Sequence, residues 1–176
     1  MRMKSKLYYL TFILTSAFFS LGNSQTKEQA LKDAQLTAQA AVTENIDLLL
    51  DHTLPSVVKL MGGHESAKAM LDQRFKSMKA QGMRFEKSEI LSVSDIVNEQ
   101  GQYRCIAENH VQMLTTEQRI VSKSYLLGVY NNIDGYWWFI EAKQLQTPAL
   151  AEQILPGFET QLKMPADDVR FETLDD

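Results

Sequence analysis

Four polar side chains carry the chemistry that this sequence could perform: Asn109, Lys123, Tyr125 and Glu141. An amide, an ammonium, a phenol and a carboxylate on one wall suffice to move a proton and hold a developing negative charge. A buried Glu141 would be the general base, Tyr125 would donate to an oxyanion, and Lys123 would offset its charge. The same residues also have a purely structural use. Lys123 and Glu141 can bridge at a sheet edge beneath Tyr125, because long polar side chains at strand ends reach water. Asp51-His52, just ahead of Pro55, offers an acid–base pair at the mouth of a pocket, or a partner for backbone groups that the proline leaves unpaired. His52, His64 and His110 lie on separate elements without ligand spacing, so no metal site is expected. No Gly-x-Ser-x-Gly, phosphate loop or dinucleotide fingerprint occurs, so no cofactor is expected and no catalytic set is assigned. Cys105 is the single cysteine, which excludes an intrachain disulfide and suggests a small buried hydrophobe.

These four residues can share a wall only if strands bring them into register. Residues 26–50 predict one long helix with an alanine stripe at Ala30, Ala34, Ala38 and Ala41, capped by Thr26 with Gln29 three positions on. So small a stripe requires something large packed close to it. Pro55 interrupts the pattern, a fresh turn carries Val57, Val58 and Leu60, and Gly62-Gly63 stops it. Residues 64–80 predict a second helix ended by Gly82. From Met83 the period becomes two, and residues 85–97, 102–114, 119–130 and 136–143 read as strands joined by the turn-like links NEQG, TTEQ and NNIDG. Short links between long strands imply an antiparallel meander. Pro148, Pro156 and Pro165 mark an irregular tail with a short helical piece over 149–155.

Turns centred near Thr116 and Ile133 set the expected faces. They pair Cys105 with Leu127, Ala107 with Tyr125 and Asn109 with Lys123, and then Trp137 with Val129 and Glu141 with Tyr125. The inward face would hold Tyr103, Cys105, Ala107, Val111, Val121, Leu127, Val129, Trp137 and Phe139, with the four polar residues at one end. Either face of the first strand can point inward. The outward face would carry Ile106, Leu126, Trp138 and Ile140, an apolar patch that needs a cover. That cover is either the chain's own tail, through Leu155, Phe158, Leu162 and Met164, or a second copy in a two-fold homodimer. The dimer is the preferred expectation, since the tail's end, DDVRFETLDD, is acidic.

Arg2, Lys4 and Lys6 precede an almost wholly apolar run, Leu7 to Leu21, and then GNSQ. That order is a secretory signal peptide with cleavage near Ser24–Gln25, since the run is too short for a bilayer span. Residues 1–24 are thus a leader, 25–146 a domain and 147–176 a tail. Removing three of the 18 basic side chains leaves 15 against 22 acidic ones, a balance of −7. The expected chain is soluble, in the periplasm or outside the cell, with no affinity for nucleic acid and no membrane span after cleavage.

Two N-terminal helices ahead of a long-stranded antiparallel meander resemble the cone-shaped NTF2-like fold, an α+β class with helices packed on a curved sheet. The stretches TLPSVVKLMGG (53–63), DGYWWFIEA (134–142) and ILPGFETQLKMP (154–165) also resemble a group of uncharacterised secreted bacterial proteins. The resemblance implies a fold whose members include small-molecule isomerases and dehydratases as well as binding modules without catalysis. Two readings follow. One is an exported non-catalytic module that binds a small apolar ligand or a protein partner. The alternative is a pocket enzyme of isomerase, dehydratase or hydrolase type, with acid–base groups on the concave sheet face.

Overall fold

The computed structural model describes residues 26–174. The apolar leader and its cleavage point lie outside the described residues. The architecture is α+β, with N-terminal helices packed on a six-stranded antiparallel sheet. Helix α1 spans Lys27–Val42, and the Thr26 hydroxyl accepts the Gln29 N–H at 3.1 Å, the expected cap. The helix stops short of the expected Leu50. Glu44 takes a left-handed backbone (φ 55°), and the Asn45 side chain accepts from Leu48 N–H to start α2, Ile46–Asp51. An asparagine that can cap and a non-glycine residue that can turn break the helix without any proline. Helix α3 is Pro55–Leu60, with proline in its first turn, and α4 is His64–Ala80, ended by Gly82.

The strands are β1 (Arg84–Val93), β2 (Val97–Glu99), β3 (Gln102–Leu114), β4 (Gln118–Asn131) and β5 (Tyr136–Glu141). A last strand, β6 (Asp168–Thr173), lies within the expected irregular tail. The main order is β1-β3-β4-β5, with β2 also on β3, and β6 on β4 beyond the end of β5. Both outer edges of this order reach α1. Gln35 accepts the Ile90 N–H of β1 at 2.9 Å, and Asp33 accepts the Trp137 N–H of β5 at 2.9 Å. A sheet whose two edges bond to one helix must curve around it.

The register differs from expectation by one residue at two turns. Cys105 faces Gly128, not Leu127, and Val129 faces Trp138, not Trp137. The first shift comes from Thr115, whose hydroxyl accepts from Glu117 N–H and Gln118 N–H while its own N–H bonds Gln118 O. That closes an even-membered loop where an odd one was expected. Asn131 does the same at the next turn, accepting from Ile133 N–H and Asp134 N–H. The shifts cancel between β3 and β5, so Cys105, Ala107, Trp137 and Phe139 share the inner face as expected. Only β4 inverts. Leu126 and Tyr130 point toward α1, while Tyr125, Leu127 and Val129 point outward. In β1, bulges between Phe85 and Lys87 and between Ile90 and Ser92 reset the alternation, so Ser88, Ile90 and Val93 are all buried. No single parity describes this strand, which is why neither face stood out.

Gly128 explains how Trp137 fits. A Cβ there would stand 2.8 Å from Cys105 Sγ, 3.0 Å from Phe139 Cε1 and 3.2 Å from Trp137 Cε3. The large group required by the alanine stripe is the pair Trp137 and Tyr130, packed with Ala30, Ala34 and Ala38.

The outer face is covered by the chain itself. Helix α5 (Pro148–Ile154) and the tail residues Leu155, Phe158, Leu162 and Met164 pack with Ile106, Ile140 and Trp138. Arg104, 2% exposed, anchors this cover. It donates to Glu159 O at 2.9 Å and to the side-chain oxygens of Gln100 and Gln102, and lies over the Phe158 ring. Glu99 accepts from Thr160 and from Gln161 N–H. The expected patch is therefore divided: Leu126 is inside, and Ile106, Trp138 and Ile140 lie beneath the tail. The acidic end does not cover apolar surface. It pairs edge-on with β4 as the exposed β6.

Two outcomes check this packing. Gly128→Ala should cost about 1–3 kcal/mol in denaturant melts, the usual penalty for overpacking; a neutral result would mean that the inner face is not β4's Gly128 side. Arg104→Ala should speed protease cleavage within 155–165 and red-shift tryptophan emission as Trp138 is uncovered. Unchanged cleavage and emission would mean that Arg104 does not hold the tail.

Candidate functional site

The outer edge of β5 is held at consecutive points. Trp137 N–H donates to Asp33, and Trp137 O accepts from His52 Nδ1 at 2.9 Å, which places the hydrogen on Nδ1. Phe139 N–H donates to His52 O at 2.7 Å, and Leu54 N–H donates to Phe139 O. His52 therefore serves Trp137, not the backbone freed by Pro55. Asp33 has one signal in the sequence, a carboxylate interrupting the alanine stripe beside Ala30 and Ala34. With Trp137 and Phe139 fixed inward, alternation turns Glu141 inward as well.

Glu141 meets a cavity of about 260 Å³ between the helices and the inner sheet face. Its helical wall is Thr37, Ala38 and Ala41 of α1, with Leu49, Thr53 and Val57. Its sheet wall is Phe85, Ser88, Asn109, Val111, Leu126, Phe139, Ile140 and Glu141, and Gln144 stands at the β5 end. Ala38 and Ala41 contribute only methyl groups, which leaves the space open. Most of the surface is apolar, the usual make-up of a ligand pocket, and the size is just below the roughly 300–1,000 Å³ typical of such pockets.

The polar groups on this wall are mostly acceptors. Thr37 donates its hydroxyl hydrogen to Asp33 O, Thr53 to Leu49 O, and Ser88 to Asn109 Oδ1. Each keeps lone pairs but no free hydrogen. Glu141 Oε2 is buried and has no hydrogen-bond partner among the described residues. Burial pushes the Glu141 carboxyl above the ordinary carboxylate range; the Lys143 charge pulls it back, and Asp167 adds to the rise. Lys143 and Asp167 pair with each other at 3.2 Å, so burial is left in control.

The expected four-residue cluster is split by the inversion of β4. Asn109 and Glu141 line the cavity. Lys123 and Tyr125 lie on the other face, where Lys123 stands 3.6 Å from Glu108 and over the Tyr125 ring. The alternative Lys123–Glu141 bridge does not form, because Glu108 takes the lysine. His110 also pairs with Glu108, at 2.8 Å, and His64 with Glu65. Among the described residues no group of His, Cys, Asp or Glu is arranged to hold a metal ion. Cys105 is fully buried, and burial pushes its thiol up to about 12, which keeps it a thiol. No helix among the described residues is long and apolar enough to cross a membrane.

Comparison with protein-family models, with curated proteins and with solved structures finds no match.

The half-buried Glu141 carboxyl has a pH signature. The folded chain binds the Glu141 proton more tightly than the unfolded chain. Its contribution to stability is therefore full below the ordinary carboxylate range and is lost as pH rises through its own titration. Glu141→Gln should raise stability by about 1 kcal/mol at about pH 7.5 and change it little at about pH 4, read from urea melts. Equal destabilisation at both pH values would mean that the carboxylate has a partner.

Proposed function

We propose that this chain is an exported, NTF2-like module that binds a small, largely apolar ligand in the cavity beneath α1 without transforming it. The observation that carries the reading is a mostly apolar cavity lined by one carboxyl, Glu141, whose Oε2 is buried without a partner among the described residues. A few polar groups on an apolar wall orient a ligand and leave the affinity to burial. Export is supported by the order of charged, apolar and small residues over positions 2–24. The tail on the outer sheet face favours a monomer over a homodimer through that face, since Ile106, Trp138 and Ile140 are already packed.

The raised Glu141 is also what a general base requires, so a pocket enzyme is the second reading. It is the weaker one. Tyr125 and Lys123, the expected oxyanion donor and counter-charge, stand on the opposite face, and only the amides of Asn109 and Gln144 remain as side-chain donors on the cavity wall.

The test is a fluorescence titration with N-phenyl-1-naphthylamine, an apolar probe that brightens out of water. Wild type should bind it saturably, and Ala41→Leu, which fills the cavity from α1, should weaken binding by about tenfold or more without unfolding. No binding by wild type, or equal binding by the filled variant, would overturn the cavity reading.

A further inference from the structure

We infer that the ligand is an apolar primary amine, whose protonated nitrogen pairs with Glu141 while its hydrocarbon body fills the cavity. The inference rests on the cavity reading above and specifies the chemistry of that same site. Glu141 is the single charged residue among those that line the cavity, and its Oε2 is buried with no partner among the described residues. The charges that act on it, Lys143 and Asp167, are paired with each other. The hydroxyls of Thr37, Thr53 and Ser88 have all spent their hydrogens on protein acceptors and offer only lone pairs. Apart from the amides of Asn109 and Gln144, the side-chain polar groups of the wall can only accept, and one of them, Glu141 Oε2, has no partner; an ammonium group, with three donors and no lone pair, matches that set. A carboxylate or phosphate ligand would meet like charge, with no lysine or arginine on the wall to offset it. A neutral alcohol could satisfy one acceptor but would leave the buried charge unpaired, the costlier omission in a low-dielectric site.

Three probes share one apolar cage and differ only at its head group: 1-aminoadamantane, 1-adamantanol and adamantane-1-carboxylate. Calorimetric titration at neutral pH should show the amine bound about tenfold or more tighter than the alcohol, and the carboxylate not bound. Glu141→Gln should reduce amine affinity by about tenfold or more while changing alcohol affinity by less than about threefold. Ala41→Leu should weaken the amine and the alcohol alike, which separates the cavity from the acidic exterior. If the alcohol or the carboxylate binds as well as the amine, or if Glu141→Gln affects amine and alcohol equally, the amine assignment is overturned and the cavity reading stands. If the amine binds but Ala41→Leu leaves its affinity unchanged, it sits on the outer surface and the assignment is overturned. If none of the three binds, both readings fall.

Discussion

The structure depends on one helix holding both edges of the sheet. Asp33 of α1 accepts the Trp137 N–H of β5, and Gln35, two residues on, accepts the Ile90 N–H of β1. Buried backbone donors on an edge strand must be satisfied or their desolvation cost remains. Here the same short segment of helix meets that demand at both ends of the strand order. The sheet is therefore bent around α1, and the concave side so formed is where the cavity lies. His52 adds the complementary bond to Trp137 O, and its backbone serves Phe139 N–H, so β5 has no free outer edge over these residues.

The packing that fills this concave side also explains where it is left empty. Trp137 and Tyr130 occupy the space opposite Ala30 and Ala34, and Gly128 gives up a side chain so that Trp137, Phe139 and Cys105 can meet. Further along α1, Ala38 and Ala41 continue the small stripe, and the sheet wall there carries the small or mid-sized Ser88, Asn109 and Val111 as well as Phe85 and Phe139. Small residues on both walls leave a gap that close packing elsewhere does not reach. Glu141 is delivered into that gap by the alternation of the strand that Trp137 anchors. The same anchoring denies it a partner, and burial raises its proton affinity.

The two faces of the sheet are closed by different physics. The inner face is closed by apolar burial against α1. The outer face is closed by a tail whose hydrophobic side chains pack on the sheet and which is also pinned by polar contacts around Arg104 and Glu99. Arg104 is desolvated, yet its guanidinium is paired on several sides and rests on Phe158, which makes a buried charge tolerable. The tail packs over Trp138 and Ile106, while the concave side keeps an apolar cavity with the unsatisfied Glu141 oxygen.

Much of this was legible in the residues alone. The alanine period of α1, the proline and glycine punctuation around α3 and α4, and the change to period two at Met83 all follow from local chemistry, because helix and strand periodicities are properties of neighbouring residues; Cys105, Asn109, Trp137 and Phe139 share the expected face only because two register shifts cancel. The tail's apolar residues were likewise readable as one of two covers for Trp138. The facing of β4 was not readable. Tyr125 to Tyr130 is apolar on both sides, so no alternation selects a register, and the choice fell to the Thr115 and Asn131 side chains that set each turn's length. One residue at each turn moved Lys123 and Tyr125 to the far side and left Asn109 and Glu141 behind. Nor could a linear pattern announce that Asp33 and His52, both distant from Trp137 in sequence, would meet its backbone. The chain's own sequence determined most of the elements and which of their residues are apolar; the tertiary structure decided that the tail's end pairs as β6 and which polar groups meet, because those contacts depend on turn geometry and on edges that only the closed sheet brings together.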